Sequence, residues 1–202
     1  TQAGAVIVAS GAYTGRTTPR IQRKIVPLGS YIIATAPLPP DLARELLPRG
    51  RMAFDTRHLL HYFRLTPDGR MLFGGRARFF PESPAMVRAS AAVLERDRAQ
   101  VFPQLRGTPA EYAWGGTLDV AFDMMPHAGH HDGCHYAVGY AGHGVAMATY
   151  LGTQLGAQLA GAPFTNPFAG LPFLGAPLGL YDGRPWFLPF AGAWYALLDW
   201  VQ

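Results

Sequence analysis

Residues 136–161 constrain this chain more than any other stretch: Tyr-Ala-Val-Gly-Tyr-Ala-Gly-His-Gly-Val-Ala-Met-Ala-Thr-Tyr-Leu-Gly-Thr-Gln-Leu-Gly-Ala-Gln-Leu-Ala-Gly. A short apolar strand, Tyr136 to Tyr140, runs into a loop with glycines at 139, 142 and 144, and the loop opens directly into a helix over about 145–160. A helix start leaves unpaired N–H groups and roughly half a positive charge aimed at the preceding loop. Glycines there let an electron-rich ligand edge approach the backbone closely. Along the helix, Gly144, Ala148, Gly152, Gly156 and Ala160 form a small-residue row at spacing four, with Leu151, Leu155 and Leu159 beside it. A mid-helix glycine costs about 1 kcal/mol relative to alanine, so the row predicts close approach to something flat. A packed sheet and a planar cofactor both satisfy it.

The rest of the chain reads as globular. Of its 202 residues 49% are hydrophobic, which excludes a disordered tail, and the 24 glycines and 18 prolines follow no collagen-like period. No uncharged apolar run reaches the ~18 residues of a membrane span, so stable membrane insertion is not expected. No basic segment leads into an apolar leader. The chain begins at Thr1 rather than Met, which suggests a processed or excised piece. Its one cysteine, Cys134, excludes an internal disulfide and fits a reducing compartment, the cytoplasm. The net charge of +4 comes from scattered arginines, the densest group being Arg16, Arg20, Arg23 and Lys24. Without an aromatic-interleaved basic stripe, no nucleic-acid partner is expected.

Val6-Ile7-Val8 within residues 5–9 reads as a buried, parallel strand entering a glycine turn, and 24–35 as a second β-rich segment stopped by Pro37, Pro39 and Pro40. Asp41 is a candidate cap for a short helix over 41–47. Thr66-Pro67-Asp68-Gly69 joins 58–65 to 70–75 as a hairpin. Ser83-Pro84 opens the longest helix, with Val87, Ala91, Leu94, Val101 and Leu105 on one face and Arg88, Glu95, Arg96 and Asp97 toward water. After Gly107 the chain reads as irregular and aromatic; Asp119 and Asp123 read as turn residues. His127, His130, His131, Asp132, Cys134 and His135 fit no common zinc spacing, so no metal is expected. The aromatic tail, Trp186 to Trp200, lacks the basic residues of an interfacial helix and reads as packing on the domain that carries the 136–161 loop or on chain absent here.

Several motifs, in order, resemble the D-amino-acid oxidase, glycine oxidase and sarcosine oxidase superfamily of flavoproteins. Val6 to Thr14 is similar to its late strand and turn, Tyr62-Phe63-Arg64-Leu65 through Leu72-Phe73-Gly74-Gly75 to its substrate-domain hairpin, and Gly139 to Gly144 to its C-terminal flavin loop. Trp114-Gly115-Gly116 and Asp123 to Gly129 match in order and spacing. The tail, Asn166-Pro167-Phe168 and Tyr181 to Trp186, resembles most the gamma-glutamylputrescine oxidoreductase-like branch.

The resemblance implies oxidation of a C–N bond in an amine or amino acid, with FAD taking the hydride. It implies cofactor contacts at Gly139, Tyr140, Ala141, Gly142, His143, Gly144, Val145 and Ala146, and a catalytic or polarising role for His143, whose alternative is to satisfy backbone groups. Tyr62 and Arg64, at alternate strand positions, share the face that in the family looks to the substrate, and Trp114 either lines the substrate pocket or packs in a core. Covalently flavinylated members use a cysteine near the position of Trp114; Cys134 lies elsewhere, so FAD is expected to be noncovalent. Ala146 stands where sarcosine oxidases carry a carboxylate-pairing lysine, which favours an amine or a γ-glutamylated amine over a simple amino acid.

No Gly-x-Gly-x-x-Gly turn occurs in the chain, so it resembles the C-terminal half of family members, and an N-terminal FAD-binding half or a partner chain is expected. The expected fold is α+β: an antiparallel-rich substrate-binding sheet with a long helix, plus the C-terminal part of a divided Rossmann-like FAD domain. Its segments are 1–20 from the FAD domain, 21–112 for substrate binding, 113–161 contacting flavin and a Pro/aromatic-rich tail at 162–202. The competing classes are a truncated binding module without FAD and one subunit of a hetero-oligomeric flavin dehydrogenase.

Overall fold

The structure is a computed structural model and describes residues 2–75, 83–163 and 165–201. In chain order the elements are β1 (Val6–Val8), α1 (Pro19–Gln22), β2 (Ile25–Pro37), α2 (Pro40–Leu46), β3 (Ala53–Phe54), β4 (His61–Leu65), β5 (Arg70–Gly75), α3 (Pro84–Val101), β6 (Ala110–Ala121), β7 (His127–His131), β8 (Cys134–Val138), α4 (Gly144–Leu159) and α5 (Leu188–Val201). The fold is α+β, and the chain forms two compact units. Unit 1 comprises residues 1–28 and 117–185, and unit 2 residues 29–116 and 186–202.

Unit 2 is built on a sheet ordered β3-β4-β5-β2-β6. Its antiparallel hairpin β4–β5 closes through Thr66–Gly69, where Gly69 takes the positive φ that the turn demands. Ser83 caps α3, its hydroxyl accepting the Met86 amide at 3.2 Å. The α3 stripe lands as its spacing predicts as far as Val101: Leu94 joins Tyr31, Ile33, Met71, Phe73 and Phe102 in one core, with Val87, Ala91 and Val101 packed on it, while Leu105, expected on the same helix, reaches that core from a 3-10 turn at Pro103–Leu105 after the helix ends. The polar side departs from expectation. Glu95 is half-buried and accepts the Ala110 amide at 2.5 Å. Asp97 is half-buried because it reaches His61 Nε2 at 3.3 Å, while Asp55 holds Nδ1 at 2.9 Å. Asp41 is not a cap, since Pro39 holds that position, and it pairs with Arg44. The stretch expected to be irregular after Gly107 is the 12-residue β6. The aromatic tail forms α5, grouped with unit 2, where the Asp199 carboxylate accepts the amides of His58 and Leu59. Among the described residues no helix is long and apolar enough to cross a membrane.

Unit 1 holds a three-stranded sheet ordered β1-β8-β7. β1 pairs with β8 in parallel, as its apolar run predicts, and β7–β8 is a hairpin whose turn, Asp132-Gly133, has positive φ at both positions. Only Val8 of β1 is buried; Val6 and Ile7 are exposed because β1 has one neighbouring strand. Leu151 and Leu155 of α4 pack on Ala128 and Ala137 of the sheet.

Candidate cofactor-binding loop and substrate hairpin

In unit 1, β8 ends at Val138 and the chain reaches α4 through five residues, 139–143. Gly139, Ala141 and Gly142 all have positive φ. Glycine is required at 139 on space as well as on φ, since a Cβ there would meet the Met125 carbonyl at 3.0 Å and Ala121 at 3.2 Å. The loop is braced from β6. Asp119 Oδ2 accepts the Gly139 amide at 2.6 Å and its carbonyl accepts the Ala141 amide at 2.9 Å. Asp119 is therefore a strand residue and not a turn residue, whereas Asp123 does lie in a turn, accepting the Met125 amide and holding His127 Nε2 at 3.0 Å. Burial pushes the Asp119 carboxyl above its ordinary value against the opposing pull of the Gly139, Tyr140 and Asp119 amides, and burial with the Asp119 charge pushes the Tyr140 phenol up to about 12.

The eight candidate cofactor positions divide in two. The amides of Gly139, Ala141 and His143 are already bound, to Asp119, Asp119 and Tyr140, and the Tyr140 hydroxyl donates to Ala137 at 2.8 Å. Those residues shape the loop. Gly144, Val145 and Ala146 form the first turn of α4, whose amides have no intrahelical acceptor, and no side chain caps them. The mouth is open: Gly142, His143 and Ala146 are exposed, and Val145 is 92% exposed. The His143 ring makes no cap bond, so satisfying backbone groups is not its role. A planar, electron-rich edge fits this donor set. The small-residue row does not meet the sheet. Ala148, Gly152, Gly156 and Ala160 are exposed, and a Cβ on Gly152 or Gly156 would meet nothing within 4 Å; Leu151 and Leu155 make the sheet contact, and Leu159 is exposed.

In unit 2, Phe63 points to the core, stacked on Phe73 and edge-on to Phe102, so Tyr62 and Arg64 share the other face of β4. Tyr62 lies across Gly74, where a Cβ would come within 2.4 Å of its ring, and its hydroxyl is 3.4 Å from that of Ser30. Arg64 is exposed and has no ion-pair partner among the described residues. Trp114, on β6, is 44% exposed, which overturns the core reading. Sequence reasoning missed Asp119 as the brace of the loop. Its signal was an acid inside the apolar run Leu118-Asp119-Val120-Ala121, which a strand must bury and pair.

Among the described residues no group of three or more His, Cys, Asp or Glu side chains could hold a metal ion. The histidine cluster disperses into His127 with Asp123, His131 with Asp132, and His130 edge-on to His135.

Residues 1–158 match the family described as FAD dependent oxidoreductase (DAO). The chain belongs to that family. It is 35% identical over 201 residues to the gamma-glutamylputrescine oxidoreductase of Escherichia coli (strain K12), a match covering 96% of this chain and 45% of the relative. It is 33% identical over 196 residues to the probable oxidoreductase OrdL of Rhizobium meliloti (strain 1021), covering 96% and 44%. The fold is similar to glycine oxidase from Geobacillus kaustophilus, with TM-score 0.65 at 18% identity over 87% of this chain and 46% of that one. Fructosyl peptide oxidase from E. terrenum gives TM-score 0.67 at 16% identity over 90% and 47%. The chain thus spans less than half the length of these relatives. The cofactor of this family is FAD.

Proposed function

We propose that this chain is part of an FAD-dependent oxidoreductase that oxidises a C–N bond of an amine or amino acid, with a γ-glutamyl polyamine as the favoured substrate class. The open first turn of α4, at the end of β8 and braced by Asp119, carries this reading. FAD, bound noncovalently, supplies the acceptor for the hydride leaving the carbon beside the substrate nitrogen. The amides of Gly144, Val145 and Ala146 would hold the ring edge of the cofactor and would stabilise the negative charge of its reduced form without reorganising, because the helix already aligns them. Gly142 keeps side chains out of that approach, and His143 offers an exposed imidazole at the same mouth. Unit 1 is the flavin-facing part and unit 2 the substrate part. There Arg64, free of carboxylate partners among the described residues, is suited to bind a substrate carboxylate bidentately, such as the α-carboxylate of a γ-glutamyl group. Tyr62 and the exposed Trp114 supply apolar wall. The name of the Escherichia coli relative, a gamma-glutamylputrescine oxidoreductase, points the same way.

The test is spectroscopic. The chain is supplied with FAD and with an N-terminal segment providing the length that its relatives have beyond it, and the flavin's visible band is followed on adding γ-glutamylputrescine under nitrogen. Bleaching that is lost in Arg64→Ala supports the assignment. A protein that takes up FAD yet bleaches with no amine or amino acid overturns it, and a colourless protein favours the binding module without FAD.

A further inference from the structure

Two motifs remain outside this chemistry: the basic cluster around residues 20–24 and the histidines of the β7–β8 hairpin. In unit 1 they line one cavity of about 470 Å³. We propose that this cavity is a second ligand site that binds a small organic phosphate, separate from the flavin loop.

The lining is one-sided in charge. Arg20, Arg23, Lys24, His130 and His131 contribute to it, and no carboxylate does. The Arg23 guanidinium is exposed and has no acceptor among the described residues. Lys24 is fixed in place, its Nζ donating to the Phe173 carbonyl at 2.5 Å and lying 4.7 Å from that ring's centroid, and an ammonium has two further donors to give. Arg20 Nη1 is shared between His131 Nε2 at 3.2 Å and Asp132 at 3.6 Å. That ion pair is two-thirds exposed on both sides, so a phosphate displaces it at little cost. The apolar part is aromatic: Phe173 stacks on His127 at 4.2 Å and on Tyr136 at 5.8 Å, with Tyr181 also lining the cavity. Three cations suit the phosphate, and the ring surface suits its organic part. The volume lies within the ~300–1,000 Å³ of small-molecule sites.

Strand direction separates this site from the flavin loop. β8 begins at Cys134, which pairs with His131 of the cavity wall, and ends at Val138 where the loop starts. Five extended residues place the strand ends about 13 Å apart. Cofactors of open α/β sheets bind beyond the carboxyl ends of the parallel strands; the basic wall of this cavity, with Arg20, His130 and His131, lies toward the amino end.

The experiment is calorimetric titration of the 202-residue chain at low salt with adenosine monophosphate, inorganic phosphate and adenosine. The expected result is saturable one-site binding of adenosine monophosphate, weaker binding of phosphate, and none of adenosine. Arg20→Ala/Arg23→Ala, at two exposed side chains, should weaken adenosine monophosphate by at least tenfold. Val145→Asp, which sets a negative charge at the α4 mouth, should leave it within twofold. Absence of binding, adenosine binding as tightly as its phosphate, or unchanged affinity in the double variant overturns the proposal. So does loss of binding in Val145→Asp alone, which would put the anion on α4.

Discussion

Single side chains hold the two regions in shape, and their titration exposes how. Asp119 is buried with a raised pKa, so its ionised form costs stability. The contribution is present in full below the unfolded carboxylate value and is lost as pH rises through the folded one. Its role is to accept the Gly139 amide, which an amide oxygen also does. Asp119→Ala should therefore destabilise the chain by about 1–3 kcal/mol by orphaning that amide, whereas Asp119→Asn should hold its stability at pH 7 and flatten the dependence between pH 4 and neutrality. Urea midpoints at several pH values check both, and equal losses in the two variants would show that the bond to Gly139 is unimportant. His61 has the same sign for a different reason. Burial lowers its pKa, but hydrogen bonds and charge from Asp97 and Asp55 outweigh that, and the net shift is upward from 6.5. Its stabilisation is full below 6.5 and fades as pH climbs through the raised folded value. Asp97, held below its ordinary value despite burial by the His61 bond, loses its share as pH falls through the acid range. Unfolding followed between pH 6 and 8 should show a decline in stability that is smaller in His61→Gln; an unchanged slope would remove His61 as its source.

Elements show where one period in the sequence serves two masters. The rows of α4 were legible as rows, and of the two flat partners open to the small-residue row the sheet is excluded: Leu151 and Leu155 pack on it, and the glycines face outward. Gly152→Ala/Gly156→Ala should therefore raise the stability of this chain by about 1–2 kcal/mol, since helix propensity favours alanine and neither Cβ meets an atom within 4 Å. A fall in the urea midpoint would mean that the helix packs through that face after all. The same contrast explains what could be read in advance. The hairpin around Thr66–Gly69, the Ser83 cap and the parallel β1–β8 pairing each follow from local chemistry: turn residues, a capping hydroxyl and an apolar run. The loop 139–143 was visible because glycine spacing and a helix start are local as well. What escaped depends on partners distant in sequence. Asp97 is half-buried because His61 is 36 residues away, and Asp119 braces a loop 20 residues on. Arg98 is 1% exposed in the last turn of α3, where charge patterning gives no warning of it. Glycine-rich β6 reads as loop until Tyr31 is found covering Gly115, where a Cβ would come within 2.7 Å of its ring.

At the scale of the molecule, the 202 residues carry donors suited to a flavin ring but no glycine-rich turn of the kind that holds a dinucleotide pyrophosphate. Those are separate contributions to affinity, and the second dominates wherever a helix start and several backbone amides grip two phosphates. If only the first turn of α4 makes contact, the adenosine and pyrophosphate of FAD add nothing to binding. Equilibrium dialysis of the chain alone should then give riboflavin and FAD affinities within a few-fold of each other, both weak enough that gel filtration strips the ligand. Gly142→Val should weaken the two in parallel, because the side chain obstructs the shared ring and its backbone sits at φ +97. The comparison separates the parts of the molecule cleanly. A strong preference for FAD would mean that this chain grips the nucleotide half as well, and if Arg20→Ala/Arg23→Ala abolished that preference, the basic cavity wall toward the amino end of β8 would be doing the gripping. Equal affinities leave pyrophosphate recognition to chain beyond these residues and confine the role of this one to tuning the ring and presenting the substrate.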